Sequence, residues 1–161
     1  VLKKNDFDDL DVSDDGVGDV LLEGRLYSGI AFERYESGGL LALAGFDQGR
    51  KYGVWRKWYP SGKLESERFF NCGNNGPWRE WDERGLLRVD DYWECGVLVR
   101  RRRYGEGGAL VETYDLSPDS TEHKRLLRAR TRMTWKVVDI DVETWQFVEH
   151  PPGWGLDETA G

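Results

Sequence analysis

Glycine, tryptophan and leucine recur at fixed offsets through the middle of this chain, and that recurrence limits its fold more than any other feature. The segments SGIAFERYESGGLLALAGFDQG (28–49), YGVWRKWYPSGKLESERFFNCG (52–73) and NGPWREWDERGLLRVDDYWECG (75–96) superpose without a gap. Gly29, Gly53 and Gly76 correspond, as do Gly38, Gly62 and Gly85, then Leu40, Leu64 and Leu87, then Gly49, Gly73 and Gly96. A fourth copy, LVRRRRYGEGGALVETYDL (98–116), keeps Tyr104, Gly108 and Leu110 in the places of Trp81, Gly85 and Leu87. Self-similarity at such a period marks a chain of stacked supersecondary units, each unable to bury its apolar face alone.

Each copy reads as a β-hairpin. A strand ends at a turn such as PSG (60–62), where proline presets φ and glycine takes the left-handed position, and a second strand runs to the next glycine. If that turn sets the register, Trp58 faces Leu64 and Lys57 faces Glu65. The same offset pairs Trp81 with Leu87 and Glu80 with Arg88, an ion pair of reversed sign, as residues in direct opposition should show. An isolated hairpin is marginal in water, so successive hairpins must line up edge to edge. Trp58, Trp81 and Tyr104 then form one ladder of rings, and Trp55 and Trp78 another. With 20 glycines and eight tryptophans against one methionine, the composition suits short strands and tight turns. The expected fold is mainly β: tandem hairpin repeats in an elongated single-layer antiparallel sheet, followed by a short helix and strand.

At this point the residues resemble a known family. The pattern G-x-W-x-x-W-Y-x-x-G-x-L, preceded by LYSGIAFERY (26–35), is similar to the MORN-repeat variant of bacterial YwqK-like antitoxin proteins. The resemblance spans residues 26–116. It implies a non-catalytic protein that binds and blocks a cognate toxin.

Charge divides the chain into three parts. Residues 1–24 hold two lysines against eight acids and form an acidic N-terminal segment, read as mobile. The repeats occupy 25–116 and are nearly balanced, with 15 basic and 14 acidic side chains. Residues 117–161 form a helix-strand appendage and tail. Net charge is -7, and the absence of a basic face argues against nucleic acid. No apolar run approaches the ~18 residues of a membrane span, and the first residues lack a signal peptide's apolar centre, which points to the cytoplasm.

Several segments invite chemical readings. Cys72 and Cys95 hold the same repeat position, two strands or about 9.5 Å apart, too far for a disulfide. They are expected as free thiols, and with histidine only at His123 and His150 no zinc site is expected. DVSDDGVGDVL (11–21) sets Asp11, Ser13, Asp15, Gly16 and Asp19 at calcium-loop spacing, but Leu22 stands where a bidentate glutamate is required. The arginines of RRRR (100–103) should alternate between faces, with Arg102 pairing Glu112, and together discourage further strand addition. In WKVVDIDVETWQFV (135–148), Val138, Ile140 and Val142 alternate with Asp139, Asp141 and Glu143, a half-buried strand with a solvated or partner-facing acidic strip. Asp119 and Glu122 read as the capping box of a short helix around Leu126 and Leu127. HPPGWG (150–155) should run as an extended tail.

These features favour an interaction module with no cofactor and no catalytic arrangement. Its candidate partner-binding residues are Trp55, Trp58, Tyr59, Trp78, Trp81 and Tyr104 on the ladders, and Asp139, Asp141 and Glu143 on the strip. The acidic ends would steer a basic toxin. The alternative is a MORN-type scaffold organising partners or a lipid surface, although an anionic membrane would repel the acidic ends. Exposed ladders need cover, either from the C-terminal segment or from a second copy in a dimer.

Overall fold

A computed structural model describes residues 3–13, 18–71 and 73–156. Its elements run β1 (Lys3–Asp6), a 3-10 turn (Phe7–Asp9), β2 (Asp11–Val12), β3 (Val20–Leu22), β4 (Arg25–Leu26), β5 (Gly29–Arg34), β6 (Leu40–Asp47) and β7 (Arg50–Trp58). They continue with β8 (Leu64–Phe70), β9 (Asn74–Trp81), β10 (Leu87–Glu94), β11 (Val97–Tyr104), β12 (Leu110–Asp115), α1 (Thr121–Arg132), β13 (Val137–Asp141) and β14 (Gln146–His150). Strands β5 to β12 form an antiparallel meander in chain order, and β1 joins beside β5 in parallel, giving a sheet of nine strands among the described residues.

The repeat turns follow from glycine. Gly62 sits at φ 82° and donates its N–H to the Tyr59 carbonyl, while Tyr59 N–H bonds the Lys63 carbonyl. Gly38, Gly85 and Gly108 occupy the same conformation at 89°, 89° and 80°, which costs a residue with a Cβ about 1–2 kcal/mol. Beyond each turn the strand pairing is also the same. Arg34 faces Leu40, Trp58 faces Leu64, Trp81 faces Leu87 and Tyr104 faces Leu110.

One residue later the expected register fails in every hairpin. Lys57 faces Ser66 and Glu80 faces Val89, because Glu65 and Arg88 are extra residues in β-bulges, like Leu41 and Val111 in the outer copies. The predicted pairs Lys57–Glu65 and Glu80–Arg88 therefore do not oppose each other. A bulge puts two residues against one and re-aims the side chains beyond it, so Glu80 instead meets Arg68, at 3.1 Å.

The sheet is not a single layer. Ile30, Leu43, Val54, Phe69 and Tyr92 project from one face into a core with Trp135, Val137 and Ile140. Strands β13 and β14 form a hairpin that folds over this face, with β13 against β7 and β8. The single strand expected over 135–148 is thus two. Asp141 accepts bonds from the Glu143 and Thr144 N–H groups and the Thr144 hydroxyl, which turns the chain at residues 142–145.

HPPGWG does not run as an extended tail. His150 ends β14, Trp154 stacks on its ring with centroids 4.0 Å apart, and the same indole meets Phe69 edge-on. Helix α1 is capped by Ser120, whose hydroxyl accepts the His123 N–H, in place of the expected Asp119–Glu122 box. Leu126 is buried and Leu127 exposed.

The N-terminal segment is ordered where it is described, contrary to the reading of a mobile leader. β1 pairs with β5, and β2, β3 and β4 form a small sheet of their own. Phe7, Leu10, Val20 and Leu22 pack against Tyr27, Ala31, Ala44 and Phe46, a second core that includes the odd-numbered side of β5. Asp15 and Gly16 of the calcium-like spacing lie outside the described residues, as does Cys72.

Candidate interaction face

Strand alternation puts Val54 and Arg56 under the C-terminal hairpin and Trp55 on the opposite surface. There a row of directly paired residues crosses the strands: Trp55 faces Arg68, Arg68 faces Trp78, Trp78 faces Asp91, and Asp91 faces Arg101. The Arg68 guanidinium lies 3.8 Å from the centre of the Trp78 ring. Lys51 Nζ stands 4.0 Å over Trp55 and 5.3 Å from Phe70. Trp78 stacks in turn on Trp93, at 6.3 Å and 26°.

The expected Trp55–Trp78 ladder is therefore not a continuous stack of rings. Equivalent positions in neighbouring hairpins lie two strands apart, about 9.5 Å, and the intervening strand contributes Arg68. Ring, cation and ring alternate instead. Each cation over a ring face gains about 0.5–1 kcal/mol at an exposed site.

Beside this row is a concavity of about 400 Å³ lined by Lys51, Trp55, Lys57, Tyr59, Arg68 and Trp81, among others. Glu80 fixes its floor by accepting from both Trp78 Nε1, at 2.8 Å, and Arg68. Burial holds Lys51 below the ordinary lysine range, and the Arg68 charge pushes it further in the same direction. Tyr59 is raised by desolvation and then by Glu65, Glu83, Asp82 and Glu80. Asp91 is fully buried on this side, held by Arg103 at 2.9 Å and Arg101 at 3.3 Å.

The other sequence-predicted site residues take different places. Trp58 packs against the core on the covered side. The Tyr59 hydroxyl donates to the Trp81 carbonyl at 2.9 Å, just as Tyr35 donates to the Trp58 carbonyl at 2.7 Å. Arg88 Nε serves the equivalent Tyr104 carbonyl at 3.0 Å. Each hairpin is stapled to the next at the same point, so Tyr59 has a structural task as well as a place in the concavity.

The acidic strip is divided. Asp139 turns to Arg56, 2.9 Å away, Asp141 caps its own turn with its carboxyl held below the ordinary range by those N–H and hydroxyl donors, and Glu143 stays exposed. Arg56 belongs to an alternating row under the hairpin: Arg56 to Glu67 at 3.2 Å, Glu67 to Arg79 at 3.4 Å, Arg79 to Asp90 at 3.3 Å, and Asp90 to Arg100 at 2.8 Å. Arg79 and Arg100 also donate to the Gly155 and Leu156 carbonyls. RRRR does alternate as expected, with Arg100 in this row and Arg101 and Arg103 on Asp91; Arg102, however, pairs with Asp115 and not Glu112.

Lys51, Arg68, Phe70 and Trp93 were not among the residues expected to contact a partner. A signal for Arg68 and Phe70 is present in the sequence. They alternate along LESERFF on the strand paired with that of Trp55, and period-two spacing gives them a common face. Among the described residues, no group of three or more His, Cys, Asp or Glu side chains could hold a metal ion, and no helix is long and apolar enough to cross a membrane. Comparison with protein-family models, curated proteins and solved structures finds no match to this chain.

Proposed function

We propose that this protein is a non-catalytic interaction module that engages a protein partner through the face carrying Trp55, Arg68 and Trp78. One observation carries the reading. The chain's own C-terminal hairpin occupies one side of the sheet and its N-terminal segment packs over Ala31 and Ala44 on the other, against one edge of Trp55, while the rest of that second side keeps a concavity whose rings hold cations over their faces. Tryptophan and arginine are the side chains that dominate binding energy at protein interfaces. A complementary partner would bring carboxylates to Lys51, Lys57 and Arg68 and apolar groups to Trp55 and Phe70.

The sequence resemblance to MORN-variant antitoxin proteins narrows the partner to a toxin. In that reading the chain is an immunity protein that covers the toxin's working surface. The acidic ends, with eight and six carboxylates in residues 1–24 and 133–161, raise the rate of encounter with a basic toxin. Asp139 is engaged by Arg56, so steering falls to the remaining acids.

The test is co-expression with the product of the adjacent reading frame, using growth as the readout. A growth arrest relieved by the wild-type chain but not by Arg68→Glu supports the proposal. If Arg68→Glu and Trp55→Ala protect as well as wild type while remaining folded, the face is wrong. If a co-purifying partner arrests nothing, the module stands and the toxin is excluded.

A further inference from the structure

The two ends of the nine-stranded sheet are finished differently. The outer side of β5 is occupied by β1, a strand from the chain's own N-terminal segment. At the other end β12 pairs only with β11 among the described residues, and all six of its residues are exposed. Leu110, Val111 and Tyr114 are 52%, 67% and 40% accessible.

Edge strands in soluble proteins are normally blunted by lysine, proline, a disrupting bulge or a covering element. LVETYD contains neither lysine nor proline. The arginine run that should have guarded an edge lies one strand further in and is engaged by Asp90, Asp91 and Asp115. The bulge at Val111 is no barrier. Strands β8 and β10 carry the same bulge, at Glu65 and Arg88, and still pair with the next strand through Ser66–Arg68 and Val89–Tyr92. By repeat position, Glu112–Asp115 is the corresponding stretch.

We infer that β12 pairs antiparallel with β12 of a second copy of this chain, joining the two sheets across a twofold axis. An axis perpendicular to the sheet keeps each face continuous, so only residues of one face can oppose each other. Centring the pair on Thr113 sets Glu112 against Tyr114 of the second copy and opposes no like charges. Glu112 and Asp115 already lie 3.6 and 2.8 Å from Arg101 and Arg102, so joining the edges concentrates little uncompensated charge. The strand is self-complementary, which is the requirement of a twofold interface.

The contact is small. One strand pair falls below the ~1,200 Å² of a standard interface, so the dissociation constant should be roughly 1–100 µM. The repeat array would then be a two-chain sheet, with one open Trp55–Arg68–Trp78 face per copy on a common side.

The experiment is sedimentation velocity of the full chain from about 1 µM to about 1 mM. Wild type should pass from monomer to dimer in that range and go no further. Thr113→Lys and Thr113→Glu should each stay monomeric, since like charges would meet at the axis, and an equimolar mixture should restore the dimer. Circular dichroism checks that both variants are folded. Should either fail to fold, hydrogen exchange on wild type replaces them: the β12 amides should gain protection at high concentration while those of β7 do not change. A wild-type monomer at the highest concentration overturns the inference, even if another protein's strand adds to that edge. So does a dimer that survives Thr113→Lys, or growth beyond two copies.

Discussion

Arg56 on β7 and Asp139 on β13 meet at 2.9 Å, and this contact joins the C-terminal hairpin to the row of alternating charges beneath it. Arg56 also serves Glu67, at 3.2 Å, and donates to the Ile140 carbonyl. It serves two carboxylates, whereas Asp139 forms an ion pair with Arg56 alone among the described residues. Arg56→Ala should therefore cost more than Asp139→Asn, about 3–5 kcal/mol for stranding buried charge against roughly 1–2 kcal/mol. Urea unfolding of the two variants measures the difference, and equal losses would contradict it.

Two tyrosines report on alkaline stability. Burial pushes both Tyr27 and Tyr92 up from 10.0 to about 12. A folded-state value above the unfolded one leaves stability intact below pH 10.0 and removes it as the pH rises toward about 12, because the unfolded chain releases its protons first. Of the seven tyrosines in the chain, these two should ionise late when tyrosinate absorbance is followed. Tyr92→Phe should flatten the alkaline loss of stability.

Two glycines should fail for opposite reasons. A Cβ on Gly45 would stand 2.1 Å from the Tyr52 carbonyl oxygen and 2.6 Å from Phe147 Cε1, whereas one on Gly62 would meet nothing within 4 Å. Gly62→Ala suffers only from its left-handed backbone, about 1–2 kcal/mol. Gly45→Ala forces strand and hairpin apart and should cost about 3 kcal/mol or more. Thermal unfolding should rank them in that order.

Ser120→Ala should lower stability by about 1 kcal/mol, the usual contribution of an N-cap oxygen. Asp119→Ala should change it by less than about 0.5 kcal/mol, since its side chain is not the cap. A larger effect at Asp119 would restore the capping box expected from the sequence.

Arg68→Ala should leave the fold nearly intact, at a cost of about 1 kcal/mol for the exposed cation over Trp78. Tryptophan fluorescence should shift as that ring loses its cover. The same variant should lose partner binding by roughly tenfold or more. Unchanged binding would move the interface elsewhere.

The hairpin unit, its turn glycines, and the opposition of Trp58 with Leu64 and Trp81 with Leu87 were legible in the sequence. These depend on local φ preference and on period-two alternation, both of which are written in a few consecutive residues. The bulges at Glu65 and Arg88 were not legible, because a one-residue insertion keeps the repeat length and reveals itself only in pairing. Nor was the fate of Asp139. Val138 and Ile140 are buried as their alternation with Asp139 requires, but Val137, on Asp139's side of the strand, is buried too and Val142 is exposed; whether the acidic side met water or Arg56 depended on where the hairpin folded, 83 residues away in sequence. Which part of each face is covered followed from the docking of distant segments, the C-terminal hairpin on one side and the N-terminal segment over Ala31 and Ala44 on the other, because both faces carry aromatic and charged residues at the same spacing and nothing local distinguishes them.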